Sequence, residues 1–186
     1  MVSIPELWLP ILVATVLVFV ASNIVWMVLP HHKSDASRLP DEAAAIDALG
    51  KQGLKPGLYR FPWANSMAEM KDPAFVEKLN KGPVAMLTVL PSGPFNMGRS
   101  LGLWTGYLVV MGIMVAYVTG RVLGPGVSYL AVFRVAGAVA FMGYSGAQLP
   151  MAIWWGKPLG VVLKEIGDGL LYALVTAGAF GWLWPS

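Results

Sequence analysis

Long uncharged apolar runs alternate with polar stretches along this chain. Residues 7–30, 101–120, 135–156 and 169–186 contain no Asp, Glu, Lys or Arg. A helix that crosses a bilayer needs about 20 consecutive, mainly apolar residues. The pattern therefore predicts four spans, over about 7–29, 101–120, 128–149 and 166–184. The third carries one charge, Arg134. The predicted class is an all-α membrane protein of four transmembrane helices, with a small cytoplasmic αβ insert between the first and second. In chain order this makes 1–29 the first helix, 30–99 the insert and 100–186 a three-helix transmembrane region.

The insert has its own signals. "LPDEAAAIDALG" reads as a short helix with proline and acids in its first turn and glycine at its stop. "KDPAFVEKLNKG" reads as a second, with Asp72 as cap, Pro73 at the first position and Gly82 as terminator. "GLYRFP" is extended, and "PVAMLTVLP" is the strongest strand in the chain, flanked by prolines. Its residues are apolar on both faces, so both faces are expected to be covered. An insert of this size is marginal as an independent domain and should lean on the membrane part or on another protein.

Composition supports the membrane reading. The chain is 56% hydrophobic and 12% charged, half the charge of an average soluble protein. Cysteine is absent, which excludes disulfides, thiolate metal sites and cysteine nucleophiles. The first apolar run is longer than the 7–15 residues of a signal-peptide core and is expected to be a retained span. A net charge of +3 does not point to nucleic acid. The basic residues instead orient the chain: eleven of the 13 lysines and arginines lie in the insert or in the connection between the third and fourth spans. Short basic loops stay cytoplasmic, so both termini should face out and the insert in. Tryptophans favour the headgroup level. Trp8, Trp182 and Trp184 fall at the expected outer boundary, and Trp26, Trp104, Trp154 and Trp155 near the inner one.

Candidate chemistry is sparse. Both histidines stand together in "LPHHKSD", with Asp35 close by. On a helix, neighbours point about 100° apart, and on a strand to opposite faces. Adjacent ligands rarely converge on one metal, and no further histidine or cysteine completes a shell. His31, His32 and Asp35 are therefore expected to mark an interfacial helix exit, with no metal and no cofactor. Lys164 and Asp168, four apart, read as a surface pair and a helix N-terminal acid. Met67 with Met70, and Met111 with Met114, have a spacing that could suit Cu(I), but the second pair sits mid-span as ordinary packing. "LGPGV" and "PSGPFNMG" lack the context of a phosphate loop and read as turns. Arg134 is expected to reach outward to Glu6 or to the terminal carboxylate of Ser186. Gly169, Ala173, Ala177 and Gly181 recur every four residues, a strip that lets another helix approach closely. The expected partner is the third span, through Ala136, Ala140, Gly143 and Ala147.

The strings "GPVAMLTVLPSGPFNMGRSLGLW", "YLAVFRVAGAVAFMGY", "AIWWGKP" and "LLYALVTAGAFGWLWP" resemble a family of small four-span bacterial membrane proteins, most of them uncharacterised. The resemblance implies a bacterial inner-membrane location and carries over no activity. The reading that follows is a non-enzymatic accessory or interaction subunit, whose partners are the lipid bilayer and another membrane protein or itself. The alternative is a small transporter or channel assembled as an oligomer around Arg134, with Asn23, Tyr117 and Tyr144. A third reading is a membrane enzyme using His31, His32 and Asp35.

Overall fold

A computed structural model describes all 186 residues, and the chain is mostly helical. Its elements are α1 (Trp8–Asn23), α2 (Glu42–Gly50), β1 (Gly57–Phe61), α3 (Pro73–Lys81), β2 (Ala85–Val89), α4 (Met97–Val122), α5 (Tyr129–Ser145), α6 (Gln148–Trp155) and α7 (Leu159–Trp182). They fall into two compact units, Met1–Ala36 with Asn96–Ser186, and Ser37–Phe95.

The helical unit is a ring of four helices. α1 packs on α4, α4 on α5, α5 on α7 and α7 on α1. Three stretches, Pro5–Val28, Met97–Val122 and Tyr129–Trp155, are long and apolar enough to cross a membrane. α7 has the length, but Lys164, Glu165 and Asp168 interrupt its first half. The interior is built largely from small residues: Ala14, Ala116, Ala136, Ala140, Ala173 and Ala177 are buried. The larger apolar side chains, such as Leu12, Val16, Val110, Leu163 and Leu174, point outward. Without a hydrophobic driving force between helices, bilayer proteins associate through small residues and close packing, and this distribution fits that rule.

The small-residue strip of α7 faces α5. A Cβ at Gly169 would collide with Ser145 Oγ, and one at Gly181 would meet the Tyr129 ring at 2.7 Å. Gly137 of α5 lies against Ala177, at 3.2 Å from a notional Cβ. Gly143 departs from the expected partner set: it faces Met111 of α4. At one end of the ring the polypeptide ends are pinned to the last turn of α4 and to the α4–α5 turn. Val2 N–H donates to Gly120 O (2.9 Å), Gly126 N–H to Pro185 O (2.9 Å) and Trp184 Nε1–H to Gly124 O (2.9 Å).

Two expectations about this unit change. The segment after α5 is not a loop: it forms α6, closed by the left-handed Gly156 (φ 68°), and α7 starts at Leu159. Lys164 and Glu165, expected in a connection, thus lie on α7, and Lys157 stands between α6 and α7. Residues 30–36 also belong with the helices and not with the insert, for reasons given by the site below.

In the Ser37–Phe95 unit, β1 and β2 pair antiparallel, with Leu58 opposite Thr88 and Arg60 opposite Met86. Asp41 caps α2 through Ala44 N–H, and Asp72 caps α3 through Ala74 N–H. Pro73 stands at the first position of α3, and Gly82 ends it at φ 63°, as the sequence predicts. β2 alternates between half-buried and exposed positions, and Phe75 is the unit's one buried residue.

Candidate functional site

The largest polar cluster of the helical unit forms where the chain leaves α1. α1 passes into one π-helical turn, Ile24–Val28, closed by Leu29 N–H donating to Ile24 O (3.0 Å). Such single turns re-aim side chains within an α-helix. Pro30 disfavours helical geometry in the residue before it, and Leu29 is extended (φ −76°, ψ 140°). Pro30 then opens a 3₁₀ turn, Pro30–Ser34, that carries both histidines. Opposite them, Lys164 and Asp168 project from one face of α7, as residues four apart do.

The two histidines converge on one carboxylate. His31 Nε2 lies 3.3 Å from Asp168 Oδ1, and His32 Nε2 lies 2.7 Å from Asp168 Oδ2. His32 Nδ1 is 2.5 Å from Asp35 Oδ2. Lys164 Nζ donates to His31 O (2.6 Å), Ser34 Oγ (2.9 Å) and Asp35 Oδ1 (2.7 Å). The His32 ring stacks on Trp26, with centroids 3.9 Å apart and planes 3° from parallel. The result is a closed network: α7 holds the turn through Asp168 and Lys164, and Asp35 joins the lysine to His32. These links place residues 30–36 with the helices.

The electrostatics follow from the partners. Burial alone would lower the pKa of His32, but hydrogen bonds to Asp35 and Asp168 outweigh it, and the value is raised above the ordinary 6.5. The hydrogen bond from Lys164, and then that from His32, hold the Asp35 carboxyl below its ordinary value. Protonated, His32 donates from both ring nitrogens, one to each carboxylate. Neutral, with its proton on Nδ1 toward Asp35, it turns the Nε2 lone pair toward Asp168. The side chains of His32 and Asp168 are 6% and 11% exposed, whereas His31 is 34% exposed and forms the open side.

The expectations from adjacency are corrected here. Neighbouring histidines do meet at one point, because a 3₁₀ turn and the reach of two imidazoles bring them to a third residue 136 positions away. Lys164 and Asp168 are not a mutual surface pair: each bonds the histidine turn, and Asp168 is buried. Sequence reasoning missed both as site residues, along with Trp26. The one available signal was a lysine and an acid sharing a face of an otherwise apolar helix. Glu165, between them, binds Lys157 Nζ at 2.5 and 2.7 Å.

Arg134 is also corrected. It is exposed on α5 and forms no ion pair or side-chain hydrogen bond. Glu6 instead accepts from the Ser3 backbone N–H (2.8 Å) and from the Ser3 hydroxyl. The polar groups grouped with Arg134 are dispersed. Asn23 bonds Phe19 O of its own helix, Tyr117 lies under Arg121, and Tyr144 sits edge-on to Tyr107 and Tyr172. Of the methionines, Met67 and Met70 are exposed, and Met111 packs against Gly143.

No protein-family model matches this chain, and no curated protein and no solved structure is significantly similar to it.

Proposed function

We propose that the chain is a non-enzymatic multi-pass protein of a bacterial inner membrane, acting as an accessory or interaction subunit. In this reading α1, α4, α5 and α7 all cross the bilayer, with both termini outside and the Ser37–Phe95 unit in the cytoplasm. The basic residues of the insert and of the α6–α7 region support that orientation. α7 crosses although polar residues occupy its first turns, because Lys164 and Asp168 are satisfied by the histidine turn and lie near the expected inner boundary.

One observation carries the interaction role. The Ser37–Phe95 unit has a capped helix pair and a hydrogen-bonded hairpin, yet only Phe75 is buried. A domain of about 60 residues that folds alone normally buries some 60% of the surface its unfolded chain exposes. Here Leu58, Trp63, Met67, Val84, Leu90 and Phe95 are all more than half exposed. Apolar side chains held out on ordered backbone mark a surface completed by another protein.

Site-specific photo-crosslinking in cells tests this. A photoreactive residue at Leu58 or at Leu90 should give one discrete crosslinked product, and the same residue at Lys51 should give none. A product of twice the subunit mass identifies a second copy, and a different mass identifies another subunit. Absence of any product at Leu58 and Leu90, with the protein at its normal level in the membrane, would refute the interaction role.

A further inference from the structure

We propose that His31 Nε2, His32 Nε2 and the Asp168 carboxylate form a binding site for a borderline divalent transition-metal ion, with Zn²⁺ as the reference case. Their ligand atoms all lie within 4.8 Å of one another. Each imidazole addresses a different oxygen of the same carboxylate, at 3.3 and 2.7 Å. Ligands bound at the usual 2.0–2.2 Å of zinc–nitrogen and zinc–oxygen bonds stand roughly 3.3 Å apart in tetrahedral geometry. The two imidazole–carboxylate separations bracket that spacing, and a metal would take the place of these contacts, with the rings and the carboxylate turning toward it.

Three further features suit a metal. The first is the outer shell. Metal-bound histidines usually donate their other ring N–H to a carboxylate, which sets the tautomer and the ring orientation. His32 has that partner in Asp35, which Lys164 in turn holds. The second is charge. Asp168 and Asp35 against Lys164 leave one net negative charge around neutral imidazoles. The third is access. Three protein ligands leave a coordination position open, and the half-exposed His31 lies on the side from which an ion can enter. Two imidazoles and one carboxylate select zinc and its first-row neighbours over Mg²⁺ and Ca²⁺, which favour all-oxygen shells. The bound ion would clasp the 30–34 turn to α7, adding to the hydrogen bonds already there.

The experiment uses the full chain in detergent, without a polyhistidine tag, stripped with chelator and titrated with Zn²⁺ and Co²⁺. The expected result is one equivalent bound per chain, with visible Co²⁺ absorption of the intensity of a four- or five-coordinate site, and no response to Mg²⁺. His31→Gln removes the exposed ligand with least risk to folding and should weaken binding by at least tenfold. Asp168→Asn should do the same or abolish it. Asp35→Asn, which touches no metal, should weaken binding by about 10–100-fold. Circular dichroism confirms that each variant is folded. Failure of folded wild-type protein to bind either ion would overturn the proposal. So would undiminished binding by folded His31→Gln and Asp168→Asn.

Discussion

Asp168 shows how a residue's role can be set by what faces it. In sequence it is an acid in the first half of an apolar helix. In the structure it is buried and receives both histidines of the chain. The metal-free cluster should be sensitive to pH. His32 titrates above its ordinary value of about 6.5. A raised folded-state pKa contributes stability that is fully present below the unfolded value and is lost as pH rises through the folded one. Asp35 behaves oppositely: its contribution is present above its ordinary value and is lost as pH falls through the lowered one. In chelated buffer the melting temperature should therefore decline from about pH 6.5 upward, and His32→Gln should remove that step. Identical profiles for the two proteins would show that His32 does not carry it. Lys164→Met should also lower the melting temperature. It removes three hydrogen bonds to the turn and leaves Asp35 without its cation.

At the scale of elements, the α5–α7 contact was legible because its signal is local. A four-residue repeat of small side chains lies on one helix face whatever that face meets. Ala177 is fully buried, and Gly137 lies directly across from it. Ala177→Leu should destabilise the protein by about 1–3 kcal/mol, the usual cost of overpacking. Gly178→Ala is the matched control: its nearest neighbour would be Tyr129 Oη at 3.8 Å, an ordinary contact. Detergent melts should separate the two variants, and equal melting temperatures would contradict the packing. The cap of α3 was readable for the same reason, since Asp72 joins a backbone N–H only two residues on. The start of α7 was not. The charged stretch reads as a loop only while its partners in the 30–34 turn are unknown.

For the whole molecule, the absence of cysteine makes topology directly testable. Single cysteines at Ser92 and at Ser128, both exposed positions, need no background substitutions. In intact spheroplasts an impermeant thiol reagent should label Ser128→Cys at once and Ser92→Cys only after permeabilisation. The reverse pattern would invert the orientation, and equal labelling of both would break the four-span arrangement. Dilution of the insert's basic charge is a further check. Replacing basic residues near the membrane ends of the insert should loosen the orientation, whereas changing Arg134 should not.

Hydrophobic spacing, turn chemistry and small-residue repeats act over one or two helical turns, so the sequence alone determined three apolar spans, the two insert helices with the Asp72 cap, the two extended segments and the face α7 offers to α5. Three outcomes belong to the tertiary structure. They are the union of residues 30–36 with the helical unit, the meeting of adjacent histidines at Asp168, and the isolation of Arg134 from Glu6. Each depends on a partner far away in the chain or on its absence, and side-chain direction is decided by that partner. A charge pattern records which groups are polar. Only packing decides which of them share a carboxylate.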